Sequence, residues 1–221
     1  MYDIVTIFCI LMTTALSVAA DDDLGSGGLD RVLPLAAIGT PFAEFVAAHP
    51  DAVYSDKDIR DIAVSPERPG ALLITHDDDP FLGLTAFANI GFRDGTLYEF
   101  VSVWTGAEED VHARRRRFFT AVIQQHGADY ARETILVSPQ MPEERAAAVF
   151  LWRESDVATL AFYTEPSPIE SQPQATLTYA QFTPDDPFLD DLFSRNPPDE
   201  TQRATAWEAH ADILPWLERL E

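Results

Sequence analysis

Residues 84–104, LTAFANIGFRDGTLYEFVSVW, decide the fold. Two runs of alternating apolar residues flank Asp94-Gly95, a dipeptide that accepts positive φ at both centres of a two-residue turn. The stretch reads as an antiparallel hairpin in which Phe92 pairs with Leu97. Side chains on a strand alternate between faces. Counting outward, one face collects Leu84, Ala86, Ala88, Ile90, Phe92, Leu97, Val101 and Val103, with Glu99 as its only polar member. That face is the expected core. The opposite face collects Phe87, Tyr98, Phe100 and Trp104 among Thr85, Asn89, Gly91 and Ser102. Rigid rings set among small polar residues suit recognition, so these four aromatics are the expected binding surface. The bland alternative is that C-terminal helices carrying Trp207, Leu214 and Trp216 cover them.

A long helix follows. Thr105 and Glu108 have the spacing of a capping box, and Glu108, Glu109 and Asp110 place negative charge at the positive end of the helix dipole. Gly127 is the expected stop. Val111, Phe118, Phe119, Val122 and Ile123 recur at helical spacing as a buried stripe. Four consecutive arginines, Arg114 to Arg117, lie within this helix. Arg117 is expected opposite the stripe, with Arg114 and Arg116 on its flanks. Arg115 falls on the stripe, where an unpaired guanidinium is costly to bury. Glu99, the lone charge on the hairpin's core face, is its expected ion-pair partner. The run therefore reads as a helix side with one structural ion pair, not as an anion site.

Outside these elements, GTPFAEFVAAHP (39–50) predicts a helix with Thr40 as N-cap, Pro41 at its first position and an exit at Pro50. Strands are predicted at 71–75, 134–138, 146–164 (a second hairpin turning at 154–156) and 175–182. From Pro184 onward the chain turns to short acidic helices, with Pro215 opening a separate last turn. Four regions result: a signal peptide at 1–20, a flexible leader at 21–35, an α+β domain at 36–183 and an acidic helical segment at 184–221. Within the domain, 36–104 and 105–183 each supply a helix and an antiparallel meander to one shared sheet, with helices on one face. In element order, and in phrases such as IGTPFAEFV, residues 36–183 resemble the tandem helix-strand units of β-lactamase-inhibitor-protein-like and small outer-membrane-lipoprotein-like domains. The resemblance implies the fold and carries no functional residue.

Charge and chemistry narrow the function. The 221-residue chain has a formal net charge of -22, which repels phosphate backbones and argues against nucleic-acid binding. An apolar stretch from Ile4 to Val18 ends in Ser17, Ala19 and Ala20 before three aspartates, the pattern of a cleaved secretory signal leading to a periplasmic or extracellular site. Cleavage leaves no membrane span in the mature chain and removes Cys9, the only cysteine, so thiol catalysis is excluded. The phosphate-loop, dinucleotide, nucleophile-elbow and zinc-protease motifs are all missing, so no catalytic residue, cofactor or metal is assigned. THDDDPFLG (75–83) gathers a histidine and three carboxylates. Its core, DDPFL, recurs at 185–189, which favours turn-forming grammar over cation binding. The expected function is that of an exported, non-enzymatic binding protein whose partner carries basic patches. The alternative is a small exported hydrolase with an unflagged carboxylate and histidine site.

Overall fold

A computed structural model describes residues 37–48, 70–76, 79, 81–137, 145–165, 174–194 and 197–219. The expected signal and leader, the exit at Pro50 and most of the proline-rich loop before the last strand lie outside the described residues. Helix α1 (Phe42–Ala48) precedes strands β1 (Gly70–His76), β2 (Thr85–Arg93) and β3 (Thr96–Gly106). The long helix α2 (Glu108–His126) leads into β4 (Ala131–Val137), β5 (Arg145–Arg153), β6 (Ala158–Thr164) and β7 (Ala175–Phe182). The tail forms α3 (Pro187–Ser194), α4 (Glu200–Glu208) and α5 (Leu214–Leu217). The seven strands make one antiparallel sheet in the order β1-β2-β3-β7-β6-β5-β4. The fold is α+β, with two meanders fused through β7.

The Asp94-Gly95 turn forms with φ of 53° and 74°, and Phe92 pairs with Leu97 as expected. One step further the register shifts, because Gly91 pairs with Glu99 and leaves Tyr98 as an extra residue. This β-bulge fits at Gly91 for a steric reason: a Cβ there would stand 2.9 Å from Cε1 of Tyr98. A one-residue slip moves every later side chain to the other face. Phe100 and Trp104 therefore join Ile90, Phe92 and Leu97 in the core beneath α1 and α2, whereas Val101 and Val103 turn to the opposite face. The expected binding surface is divided. Phe100 and Trp104 are buried, while Phe87 and Tyr98 stay half-buried on the other side.

The first face packs the α2 stripe (Val111, Phe118, Phe119, Val122, Ile123) against strand residues including Phe150, Trp152 and Tyr179. Ile213 and Leu217 of the tail complete this layer. The second face is also a core, built from Val101, Val103, Val149, Leu151, Leu160, Phe162 and Phe182, with Leu189 of α3 upon it. Helices thus occupy both faces, not one. The tail supplies both: α3 reaches across to the edge strand β4, and α4 packs on β5 from the other side.

Two local expectations change as well. Strand β3 continues to Gly106, so α2 starts at Glu108 with no side-chain cap, and the Thr105 hydroxyl donates to Oε1 of Gln174 instead. A capping box does form, at Asp199 and Gln202 on α4. Thr40 lies before α1 and its hydroxyl donates back to the Ala37 carbonyl. Gly127 ends α2 as expected, at φ 84° with its N–H bonded to the Ile123 carbonyl. The second aspartate of each DDPFL copy accepts from backbone N–H groups just after it. One carboxylate oxygen of Asp79 accepts from the N–H groups of Phe81 and Leu82 and from the Trp104 indole. Asp186 accepts from the N–H of Phe188 in the same way.

Candidate functional site

The four arginines are spent on four different neighbours. Arg114 donates to the Leu82 carbonyl, Arg116 lies 4.0 Å from the Trp216 ring centroid, and Arg117 lies 5.3 Å from that of Phe81. Arg117 is accordingly half-buried and does not project into solvent as expected. Arg115 is buried, as its place on the stripe requires, but its partner is not Glu99. The bulge that turned Trp104 inward turned Glu99 away to the second face. Arg115 instead donates to the Ala209 carbonyl and to both oxygens of Asp212 at 3.0 Å, and its Nη2 stands 2.9 Å from Nε2 of His112. Its guanidinium also lies 4.9 Å from the ring centroid of Tyr163.

This arrangement fixes the turn that follows α4, and with it His210. The imidazole is almost fully buried among Phe119, Phe150, Tyr163 and Trp207, with ring centroids 5.3 to 6.1 Å away. Burial lowers its pKa to about 4, and the nearby Arg115 charge adds to the effect against the opposing pull of Asp212. His210 is therefore neutral at physiological pH. Its Nδ1 has no hydrogen-bond partner.

His210 forms part of the wall of a cavity of about 290 Å³ between α4 and the β5–β6 strands. The strand side consists of Ala146, Ala147 and Ala148, flanked by Val137 and by Tyr163, Thr164 and Glu165. The helix side offers Thr201, Gln202, Thr205 and Ala206. Short side chains line both sides, and they do not fill the space between helix and sheet. The Tyr163 phenol has its pKa pushed up to about 12, chiefly by burial, so it keeps its proton. Nothing in the sequence pairs the Ala146–Ala148 run with the threonine side of α4, because that contact spans more than fifty residues. The legible signal was only the unusual run of three small residues in a strand.

A second buried polar group sits on the opposite face. Glu99 has its pKa raised to about 7 by burial, opposed by a hydrogen bond from Tyr98. Its Oε1 is unpartnered, as is Oδ2 of the buried Asp186 nearby. Arg93 approaches Asp186 only at 3.9 Å and lies over the Tyr98 ring at 4.1 Å. Of the four expected binding aromatics, Tyr98 belongs to this cluster and Trp104 to the Asp79 turn. Phe100 stacks edge-on with Tyr179, and Phe87 packs at the margin of the second core.

No protein-family model matches the chain, and no curated protein or solved structure is significantly similar to it. The resemblance in element order brings no residue to either cluster. No helix among the described residues is long and apolar enough to cross a membrane.

Proposed function

We propose that the protein is an exported, non-enzymatic binding protein whose ligand seat is the cavity between α4 and β5–β6. One observation carries this reading: a fully buried, neutral imidazole in the cavity wall has an Nδ1 with no partner. A buried polar atom left unpaired costs about 1–3 kcal/mol, so this nitrogen marks the wall of the cavity as a place built for more than packing. The binding class is retained from the sequence, and the seat moves from the sheet aromatics to the cavity.

The hydrolase reading draws support from His210 and Glu165 sharing that wall. Basicity argues against it. A general base works best with a pKa near the working pH, and His210 lies well below neutrality. To separate the two readings, the mature chain would be incubated with the small-molecule fraction of its native compartment, washed by ultrafiltration and analysed by mass spectrometry. A compound retained and recovered intact is the expected result. Recovery as cleavage fragments would establish the hydrolase instead.

Export rests on the apolar run from Ile4 to Val18 and its small-residue boundary. N-terminal sequencing of the native protein should return Ala20 or Asp21, and retention of Met1 or Tyr2 would remove this part of the proposal. At a formal net charge of -22, any docking protein would carry basic patches and associate in a salt-sensitive manner.

A further inference from the structure

We propose that Glu99 and Asp186 form a pH-sensitive catch: it holds the start of α3 on the second face of the sheet while Glu99 carries a proton, and lets go when that proton is lost. The catch sits where β7 hands over to α3. Phe182 of β7 pairs with Glu99, the N–H of Thr183 bonds to the Tyr98 carbonyl, and the N–H of Asp186 bonds to the Thr183 carbonyl. Asp186 then opens α3. Its carbonyl accepts from the N–H of Leu189 and its Oδ1 from that of Phe188. Leu189 is buried in the second core, and the Phe188 ring centroid lies 5.2 Å from that of Phe182. A displacement of Asp186 therefore carries the first turn of α3 with it.

Two carboxyl groups are buried at this joint, and their surroundings do not neutralise both. Glu99 is 3% exposed and Asp186 4%, and each keeps one oxygen, Oε1 and Oδ2, without a hydrogen-bond partner. From β2, Arg93 brings a positive charge. It reaches Asp186 only at 3.9 Å, its side chain is half in water, and it rests on the Tyr98 ring. From β3 itself, the Tyr98 phenol donates to Glu99. From the start of α3, Asp186 opposes ionisation of Glu99 more strongly than Arg93 favours it. With one proton present, the joint buries a single negative charge near Arg93. Without it, two like charges are buried with one half-solvated cation nearby, and moving Asp186 into water relieves both the repulsion and the burial. Burial first, and the Asp186 charge after it, raise the Glu99 pKa to about 7 in the docked form. A released joint lets it return toward the ordinary 4.5. Docking is therefore fully favoured below about pH 4.5, and that advantage is lost as pH rises through 7.

The test follows ring contacts of the full mature chain by NMR at about pH 5.5 and about pH 8.5, values between which the docking equilibrium should fall about tenfold or more. Cross-peaks between the Phe182 and Phe188 rings should be strong at the lower pH and weakened or lost at the higher. Those between Trp104 and Phe118, 5.5 Å apart on the first face, should persist at both. Glu99→Gln, which keeps the shape of the side chain and cannot ionise, should hold the Phe182–Phe188 contact at both pH values. Equal Phe182–Phe188 cross-peaks in wild type at both values would overturn the catch. Their loss at the higher pH in Glu99→Gln would overturn it too, since the release would not depend on the Glu99 proton. Simultaneous loss of the Trp104–Phe118 cross-peaks would do the same, because the whole domain would then be opening instead of one helix.

Discussion

Each face of the sheet buries an ionisable side chain in its core: Arg115 on the side of α2, α4 and α5, and Glu99 on the side of α3. The sequence suggested that these two neutralise each other, yet the sheet separates them. On Arg115 a carbonyl, a carboxylate and a histidine nitrogen converge. Glu99 has one phenol, with the Asp186 carboxylate and the Arg93 guanidinium pulling in opposite directions, and meets its burial by holding a proton more tightly. Burial alone does not decide whether a group stays charged. The number and sign of the partners that the fold brings to it do.

Removing the ring that distinguishes the two faces should have the largest effect. Trp104→Ala empties a site between Phe81 and Phe118 and leaves Asp79 without the indole donor, and should cost about 3–5 kcal/mol in denaturant unfolding. Phe87→Ala, at the margin of the second face, should cost clearly less. Wild-type Trp104 should also be shielded from acrylamide, as read by the difference from Trp104→Phe. If Trp104→Ala and Phe87→Ala had equal denaturation midpoints, the bulge would not divide the aromatics as described.

A smaller effect separates the faces by pH. Glu99 titrates near 7 in the folded chain against an ordinary 4.5, so the folded state binds the extra proton. Its contribution is full below about pH 4.5 and is lost as pH rises through 7. His210 titrates near 4 against 6.5, so the unfolded state binds the extra proton. Its contribution is full above pH 6.5 and is lost as pH falls through 4. The two slopes oppose each other between these limits. Glu99→Gln should therefore unmask a stability that rises with pH, and His210→Gln one that falls, each by about 1–3 kcal/mol between pH 4.5 and 6.5. Slopes of the same sign in the two variants would refute the assignment.

The arginine run supplies the mildest contrast. Arg115→Ala should cost about 1–2 kcal/mol, moderated because Asp212 is half in water and can be resolvated. Arg117→Ala removes only a cation–π contact at a half-buried position and should cost about 0.5 kcal/mol. Thermal or denaturant midpoints that coincide would show Arg115 to be no different from its neighbours.

Much of the local grammar was legible where neighbours in sequence are neighbours in space, the Thr40 and Thr105 caps excepted. The Asp94-Gly95 turn, the α2 stripe, the Gly127 stop and the Asp-Pro turns all belong to that class. The larger failure was propagation. Alternation carried past Tyr98 gave the wrong face to every later residue of β3, although the sequence held a warning in Glu99. A single carboxylate on an otherwise apolar face is a reason to suspect a shifted register, and a glycine opposite an aromatic shows where the shift fits. The cavity was illegible for another reason. Its walls come from β4–β6 and α4, and the empty space between them is a property of neither segment.

The position of β7 governs when this protein can fold. It is the last of the described strands, yet it lies in the middle of the sheet, between β3 and β6. Before residues 175–182 are available the two meanders share no hydrogen-bonded edge, and each would present an open strand where β7 belongs. Contacts so distant in sequence form slowly, because the intervening chain must be ordered before they reward it. Completion of the sheet is thereby deferred until nearly the whole polypeptide has been synthesised.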